Sequence, residues 1–259
     1  MSANVLTVDN LVVRYGPRAV VDELSFHVRR GEIVGIVGPN GAGKTTTLRA
    51  VTGQTPVASG RLLLGDDDVT AAPERLRGRV GVIPQDVALF DELTATETLT
   101  LVGSLRGLSG AALTREVERW IELAALDGAR NVASRYFSGG MKRKLAIGAA
   151  LIGDPELLVL DESFAGLDPE ATWAIERELL RHRERGAGIL LCTHLLDFLD
   201  READRVLLLA GGTLADELVR QPDGALGPAP WPGLVSWYLD RVRRPAPRPG
   251  VASVADPVS

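Results

Sequence analysis

Apolar and polar residues alternate from Val5 to Tyr15, the period of a strand with one buried face. A second strand is predicted over Leu24 to Val28. The next segment, EIVGIVG (Glu32–Gly38), is an unbroken apolar, β-branched run, the kind that parallel sheets bury on both faces. It breaks at glycines and enters a predicted helix, Lys44 to Thr52. GRLLLGDDDV then suggests a hairpin or edge strand, and RVGVIPQ (Arg79–Gln85) another buried strand. From Thr94 to Ile152 the period becomes helical, with Val117, Trp120, Ile121 and Ala124 on one face. After Pro155 apolar strands return at Glu156–Asp161, Gly188–Thr193 and Arg205–Ala210. Helices are predicted between them at Glu170–Arg185 and Leu195–Arg201.

This alternation predicts an α/β fold with a mainly parallel sheet covered on both faces. The helical stretch, about residues 86–154, reads as an insertion into a domain spanning 1–217. Residues 218–259 form a separate extension rich in Pro and Gly, with Arg241, Arg243, Arg244 and Arg248 among Pro245, Pro247 and Pro249. It is expected to be poorly ordered, apart from a short apolar face of Leu234, Trp237, Tyr238 and Val242. No internal repeat is visible.

Composition narrows the function. The chain has 259 residues, 45% hydrophobic and 24% charged, ample for a buried core. A net charge of −5 argues against a duplex nucleic-acid partner, which calls for a basic face. Cys192 is the single cysteine, so no internal disulfide forms, which suits a reducing compartment. The first residues carry neither a basic nor an apolar targeting region, and no run approaches the roughly 18 apolar residues of a spanning helix. The chain is therefore expected to be soluble by itself, and a membrane role would need a partner.

The chemistry begins at GPNGAGKTT (Gly38–Thr46), which matches G-x-x-x-x-G-K-[ST] between a predicted strand and a predicted helix. Gly41 and Gly43 let the backbone curl so that successive N–H groups face one anion. Lys44 offers a point charge to β/γ-phosphate oxygens and Thr45 a hydroxyl to Mg²⁺. An ordinary glycine-rich turn leaves that Lys and Thr unexplained. Asp161, ending a buried strand, is placed to hold Mg²⁺ through water, and Glu162 to orient or deprotonate a water at the γ-phosphate. A solvated acidic pair is the competing reading, and the phosphate loop decides against it. A second anion-binding turn, Ser138-Gly139-Gly140, opens another helix and is followed by Lys142, Arg143 and Lys144.

With these residues in this order, the chain resembles the ATP-binding domain of ABC transporters from Val5 to Glu217. The resemblance implies a P-loop NTPase core: a mainly parallel sheet, an antiparallel N-terminal β subdomain and an inserted α-helical subdomain. It implies ATP and Mg²⁺ as cofactors, with Gly38, Asn40, Gly41, Ala42, Gly43, Lys44, Thr45 and Thr46 around the phosphates and Tyr15 stacked on adenine. Gln85 would touch Mg²⁺ and the attacking water, alongside Thr45 and Asp161. Glu162 would be the catalytic glutamate, His194 the γ-phosphate histidine, and Asp168 part of a loop crossing to a second subunit. Ser138, Gly139 and Gly140 match the signature loop, which in this family serves the ATP of a partner.

Three positions depart from the usual pattern: Met141 for Gln, Ser163 for Pro and Lys144 for Arg. None removes a phosphate donor. Lys142, Arg143 and Lys144 read as a solvated helix face, Asp66–Asp68 as a solvated loop, His27 and His182 as unremarkable histidines, and Cys192 as a buried structural thiol. The implied partners are transmembrane permease subunits and a second ATPase subunit, in a homodimer, with the chain peripheral on the cytoplasmic face of the membrane. SGGM followed by basic residues is similar to the branch that exports drugs and polysaccharides. An importer subunit shares the same catalytic motifs. A non-transport ABC ATPase would show a long coiled coil, a zinc insertion or a second ATPase domain, and none is visible.

Overall fold

The computed structural model describes residues 3–243 except Ser163, Ala165 and His194. Strands β1 (Asn4–Tyr15) and β2 (Arg18–Arg29) form a hairpin, extended by β4 (Ser59–Leu64) and β5 (Asp67–Asp68) into a four-stranded antiparallel sheet. A second, six-stranded sheet contains β3 (Ile33–Val37), β6 (Val80–Ile83), β7 (Leu157–Asp161), β8 (Gly188–Cys192), β9 (Arg205–Ala210) and β10 (Thr213–Val219), in the order β10-β9-β3-β8-β7-β6. Its strands are parallel except β10, which pairs antiparallel with β9.

Strand periodicity assigns each residue to a core. Leu157, Val159, Leu190 and Cys192 face the antiparallel sheet and helix α1 (Lys44–Val51). Leu158, Leu160, Ile189 and Leu191, one residue out of phase, face the helices on the other side. Those helices are α2 (Ala95–Leu105), α3 (Gly110–Leu123), α4 (Gly139–Leu151), α5 (Pro169–Glu184), α6 (Leu196–Glu202) and α7 (Leu234–Arg243). Both faces being covered explains why β3, β7 and β8 are apolar at nearly every position.

In the inserted region α2 packs on both α3 and α4. Val117, Trp120, Ile121 and Ala124 are buried there, as their spacing predicts. A capping box of Thr94 and Glu97 starts α2. At its far end Arg106 donates to the carbonyls of Ala150 and Ile152 at 2.7 and 2.5 Å, closing the C-terminus of α4. The insertion is tied to the rest of the domain by buried Glu178 of α5, which pairs with Arg119 of α3 and with Arg181.

Two features differ from expectation. β2 is longer than Leu24–Val28, because Arg18–Glu23 continues the hairpin pairing with β1. The segment after Glu217 is folded through the last described residues. Leu226, Leu234 and Trp237 are buried and join the helix-side core, with Tyr238 packed partly against it. Asp200 of α6 fixes this segment by accepting from Trp231 Nε1 at 2.9 Å and from the Leu234 amide at 3.1 Å. Val242 departs from the anticipated apolar face and is exposed. Residues 244–259 lie outside the described residues. Among the described residues no helix is long and apolar enough to cross a membrane.

Candidate functional site

The site grows from the C-terminal ends of the parallel strands, where open α/β sheets place their ligands. β3 ends at Val37, and residues 38–43 curl back to start α1. Gly38 sits at φ 156°, where a Cβ would lie 2.3 Å from the Leu209 carbonyl oxygen. Gly43, at the N-cap of α1, sits at φ 100° with a notional Cβ 2.8 Å from the Val20 carbonyl oxygen. Both positions therefore demand glycine on steric and conformational grounds. No side chain caps α1 and no acidic residue occupies its first turn, so its amides and positive dipole end point into the cleft. Lys44 Nζ lies across the mouth of the loop, donating to the carbonyls of Gly38 at 2.7 Å and Pro39 at 3.1 Å.

Asn40, Gly41, Ala42, Gly43, Lys44, Thr45 and Thr46 line one cleft together with Gln85, Glu162, Val20 and Cys192. Residues far apart in sequence are thus gathered in one place. Gln85 also lines an adjoining cleft with Asp161 and Arg49. Asp161 and Cys192 are register partners across β7 and β8, which fixes Glu162 beside the thiol. The Glu162 amide donates to the Cys192 carbonyl at 2.9 Å, and the thiol donates to Glu162 Oε1 at 3.7 Å. Glu162 adopts a left-handed φ of 47°, costly for a side-chain-bearing residue and held by the neighbouring strands.

Burial raises the pKa of Asp161, while a hydrogen bond from Thr45 and the charges of Arg49 and Lys44 oppose the rise. Burial likewise pushes the Cys192 thiol up, reinforced by Glu162 and Asp161, so it stays protonated as a structural thiol. Tyr15 is half-exposed at the end of β1, where a planar ring could stack on its face. His194 lies outside the described residues, as does Ser163.

The second anion turn is built differently. Ser138 is the N-cap of α4 and its Oγ accepts from the Met141 amide at 3.2 Å. Ser138, Gly139 and Gly140 do not line the phosphate-loop cleft. At Gly139 an added Cβ would meet nothing within 4 Å, so packing within the chain does not require glycine there. The basic residues that follow are not a simple solvated face. Lys142 pairs with Asp91 at 3.2 Å, Arg143 donates to the carbonyls of Pro84 and Gln85, and Lys144 pairs with Asp168 at 3.2 Å. Asp168 caps α5, and its carboxyl is held below the usual range by the Ala171 amide and by Lys144.

Sequence reasoning overlooked Val20, Arg49 and the bonding role of Arg143. Arg49 carried a usable signal, because it lies four residues after Thr45 and so on the same face of α1. Val20 and Arg143 enter through tertiary contacts that no local spacing announces. Elsewhere Asp67 and Asp68 are exposed and pair with Arg79 and Arg61. Among the described residues no group of His, Cys, Asp and Glu gathers in a way that could hold a metal ion alone.

A family model described as ABC transporter matches residues 21–165. The chain is 40% identical over 211 residues to the Nod factor export ATP-binding protein I of Ralstonia nicotianae, covering 82% of this chain and 66% of that protein. It is 39% identical over 214 residues to the protein of the same name from Bradyrhizobium diazoefficiens, covering 82% and 70%. The chain thus spans about two thirds of the length of these relatives. A solved structure described as the ATP binding subunit of an ABC transporter superposes with a TM-score of 0.83 at 32% identity, covering 91% of this chain and 98% of that one. A dimeric ATP-binding cassette bound to ADP and Pi shares the fold, with a TM-score of 0.75 at 22% identity, covering 83% and 99%.

Proposed function

Because this chain belongs to the ABC transporter family, we propose that it is an ATP-hydrolysing subunit that energises a separate membrane-spanning exporter. The observation that carries this reading is one cleft shared by the uncapped N-terminus of α1, Lys44, Gln85 and Glu162. ATP binds with its phosphates on the amides of residues 38–46 and on Lys44, and its adenine on Tyr15. Thr45, Asp161 and Gln85 are oxygen donors suited to Mg²⁺, and the hydrogen bond between Thr45 and Asp161 supports their sharing one ion. When bound, Mg²⁺ supplies positive charge to the phosphate oxygens. Glu162 accepts a proton from water as the water oxygen bonds the γ-phosphorus and the bond to the β–γ bridging oxygen breaks, leaving ADP and phosphate. His194 is assigned to the γ-phosphate.

Two copies pair head to tail, so that Ser138, Gly139 and Gly140 of one face the phosphates held by the other, with Asp168 at the crossing. The exposure of this turn, outside its own chain's cleft, supports that arrangement. The insertion, residues 86–154, docks on transmembrane permease subunits at the cytoplasmic face. Exposed Phe90, Leu101 and Leu105 on that region suit an apolar partner. Export follows the names of the relatives, whereas their Nod factor cargo is not carried over, since the transport path lies in the membrane subunits. The test is purification with the adjacent membrane subunits and measurement of Mg²⁺-dependent phosphate release. Turnover that is lost in Lys44→Ala supports the reading, and turnover unaffected by that change contradicts it.

A further inference from the structure

We infer that Arg143 is a positioning residue for Gln85, through which the turn facing a partner's nucleotide sets the chain's own hydrolytic cleft. This rests on the proposed ATPase reading and adds a residue to it. Arg143 lies one helical turn beyond Gly139 on α4. Its guanidinium forks across two consecutive carbonyls, with Nη1 donating to Pro84 at 3.1 Å and Nη2 donating to Gln85 at 2.8 Å. Such a planar, two-pronged donor fixes direction as well as distance, which a single ammonium does not.

The contact falls on a segment without regular structure. β6 ends at Ile83, and residues 84–89 form no helix or strand. Among the described residues, the hydrogen bonds to the carbonyls of Pro84 and Gln85 come from Arg143 alone. Gln85 meanwhile lines both the phosphate-loop cleft and the adjoining cleft with Asp161. Gln85 thus projects from an irregular segment whose backbone is held by a side chain from α4. Lys142 and Lys144 on either side bond to Asp91, in the same connection between β6 and α2, and to Asp168, so three successive residues of one helix reach two separate segments. Only the Arg143 contact reaches a residue of the cleft lining directly. A shift of α4, when its first turn meets a partner's phosphates, is delivered to Gln85 through this fork.

The test is a double-mutant cycle in the complex with its membrane subunits. Arg143→Ala should lower kcat about 10- to 100-fold, the scale of an ångström misplacement near the chemistry. The ATP KM should stay within about twofold, because the phosphate loop is untouched. Combined with Gln85→Ala, it should cost no more than Gln85→Ala alone, since Arg143 acts through that residue. Arg143→Lys, which can reach one carbonyl, should recover part of the loss and serves if the alanine variant misfolds. Lys142→Ala, whose partner lies outside the cleft, should leave turnover unchanged. Additive losses in the double variant, or wild-type kcat in Arg143→Ala, would overturn the inference while leaving the ATPase reading intact. Absence of turnover in the wild-type complex would instead overturn the reading beneath it.

Discussion

The two glycine-rich turns that open helices α1 and α4 are built from similar parts to opposite ends. At residues 38–46 the glycines are demanded from inside: a Cβ at Gly38 or Gly43 would collide with backbone oxygens of the same chain. The helix that follows has no side-chain cap, and its open amides face a cleft lined by Glu162 and Gln85. At residues 138–140 the cap is present, the space beside Gly139 is open, and the following basic residues are engaged within the chain. The first turn therefore opens onto a cleft that gathers distant polar residues, and the second is a surface mounted by its neighbours that takes no part in lining that cleft. The contrast teaches that a helix N-terminus becomes a site only through what surrounds it.

The strongest way to break this contrast is to remove chemistry from the first turn alone. Glu162→Gln should reduce phosphate release at least ~100-fold, the usual range for a lost general base, while ATP binding measured by calorimetry persists. Next, Ser138→Arg should leave the ATP affinity of the single subunit unchanged and weaken ATP-held dimers ~10-fold or more, read by light scattering after size exclusion. An equal loss of ATP affinity in the monomer would place the second turn in its own chain's site. A smaller effect concerns the mounting. Arg119→Met leaves buried Glu178 with one partner instead of two, costing about 2 kcal/mol of stability in urea unfolding, discounted because the arginines are partly exposed. ATP binding at the first turn should be unaltered.

The smallest effect is a pH dependence near the same junction. Burial holds the His182 imidazole below its ordinary value of 6.5, and Arg185 and Arg119 act in the same direction against Asp154 and Glu178. The unfolded chain therefore takes up this proton first as the pH falls. The contribution to stability is whole above about pH 6.5 and declines below it. His182→Gln should flatten unfolding midpoints between pH 7.5 and 5.5, and an unchanged slope would assign the acid sensitivity to other groups.

Much of the fold was legible because burial writes itself into periodicity. The strands of the parallel sheet are apolar on both faces, and Val117, Trp120, Ile121 and Ala124 marked their helix face correctly. The strand–loop–helix turn at residues 38–46 was legible because Gly38, Gly43 and Lys44 serve one local geometry. The extension after Glu217 was legible only in its short face of Leu234, Trp237 and Tyr238, since the burial of Leu226 and the anchoring of the segment come from Asp200 and the α6 surface, which are distant in sequence. The same holds for Lys142, Arg143 and Lys144. As a string they are three solvated charges, and only the folded chain supplies Asp91, the Gln85 carbonyl and Asp168 as their partners.

The central claim is that the second turn completes a site on another molecule. Its most direct test mixes two single-cysteine additions, Asn40→Cys and Ser138→Cys, each in a Glu162→Gln background, and applies a short thiol cross-linker with and without ATP. The native Cys192 is buried with its thiol pKa pushed up and should stay unreactive. The account predicts covalent dimers in the mixture, dependent on ATP and absent when either variant is treated alone. No dimer in the mixture, with internal cross-linking of a chain that carries both cysteines, would contradict it.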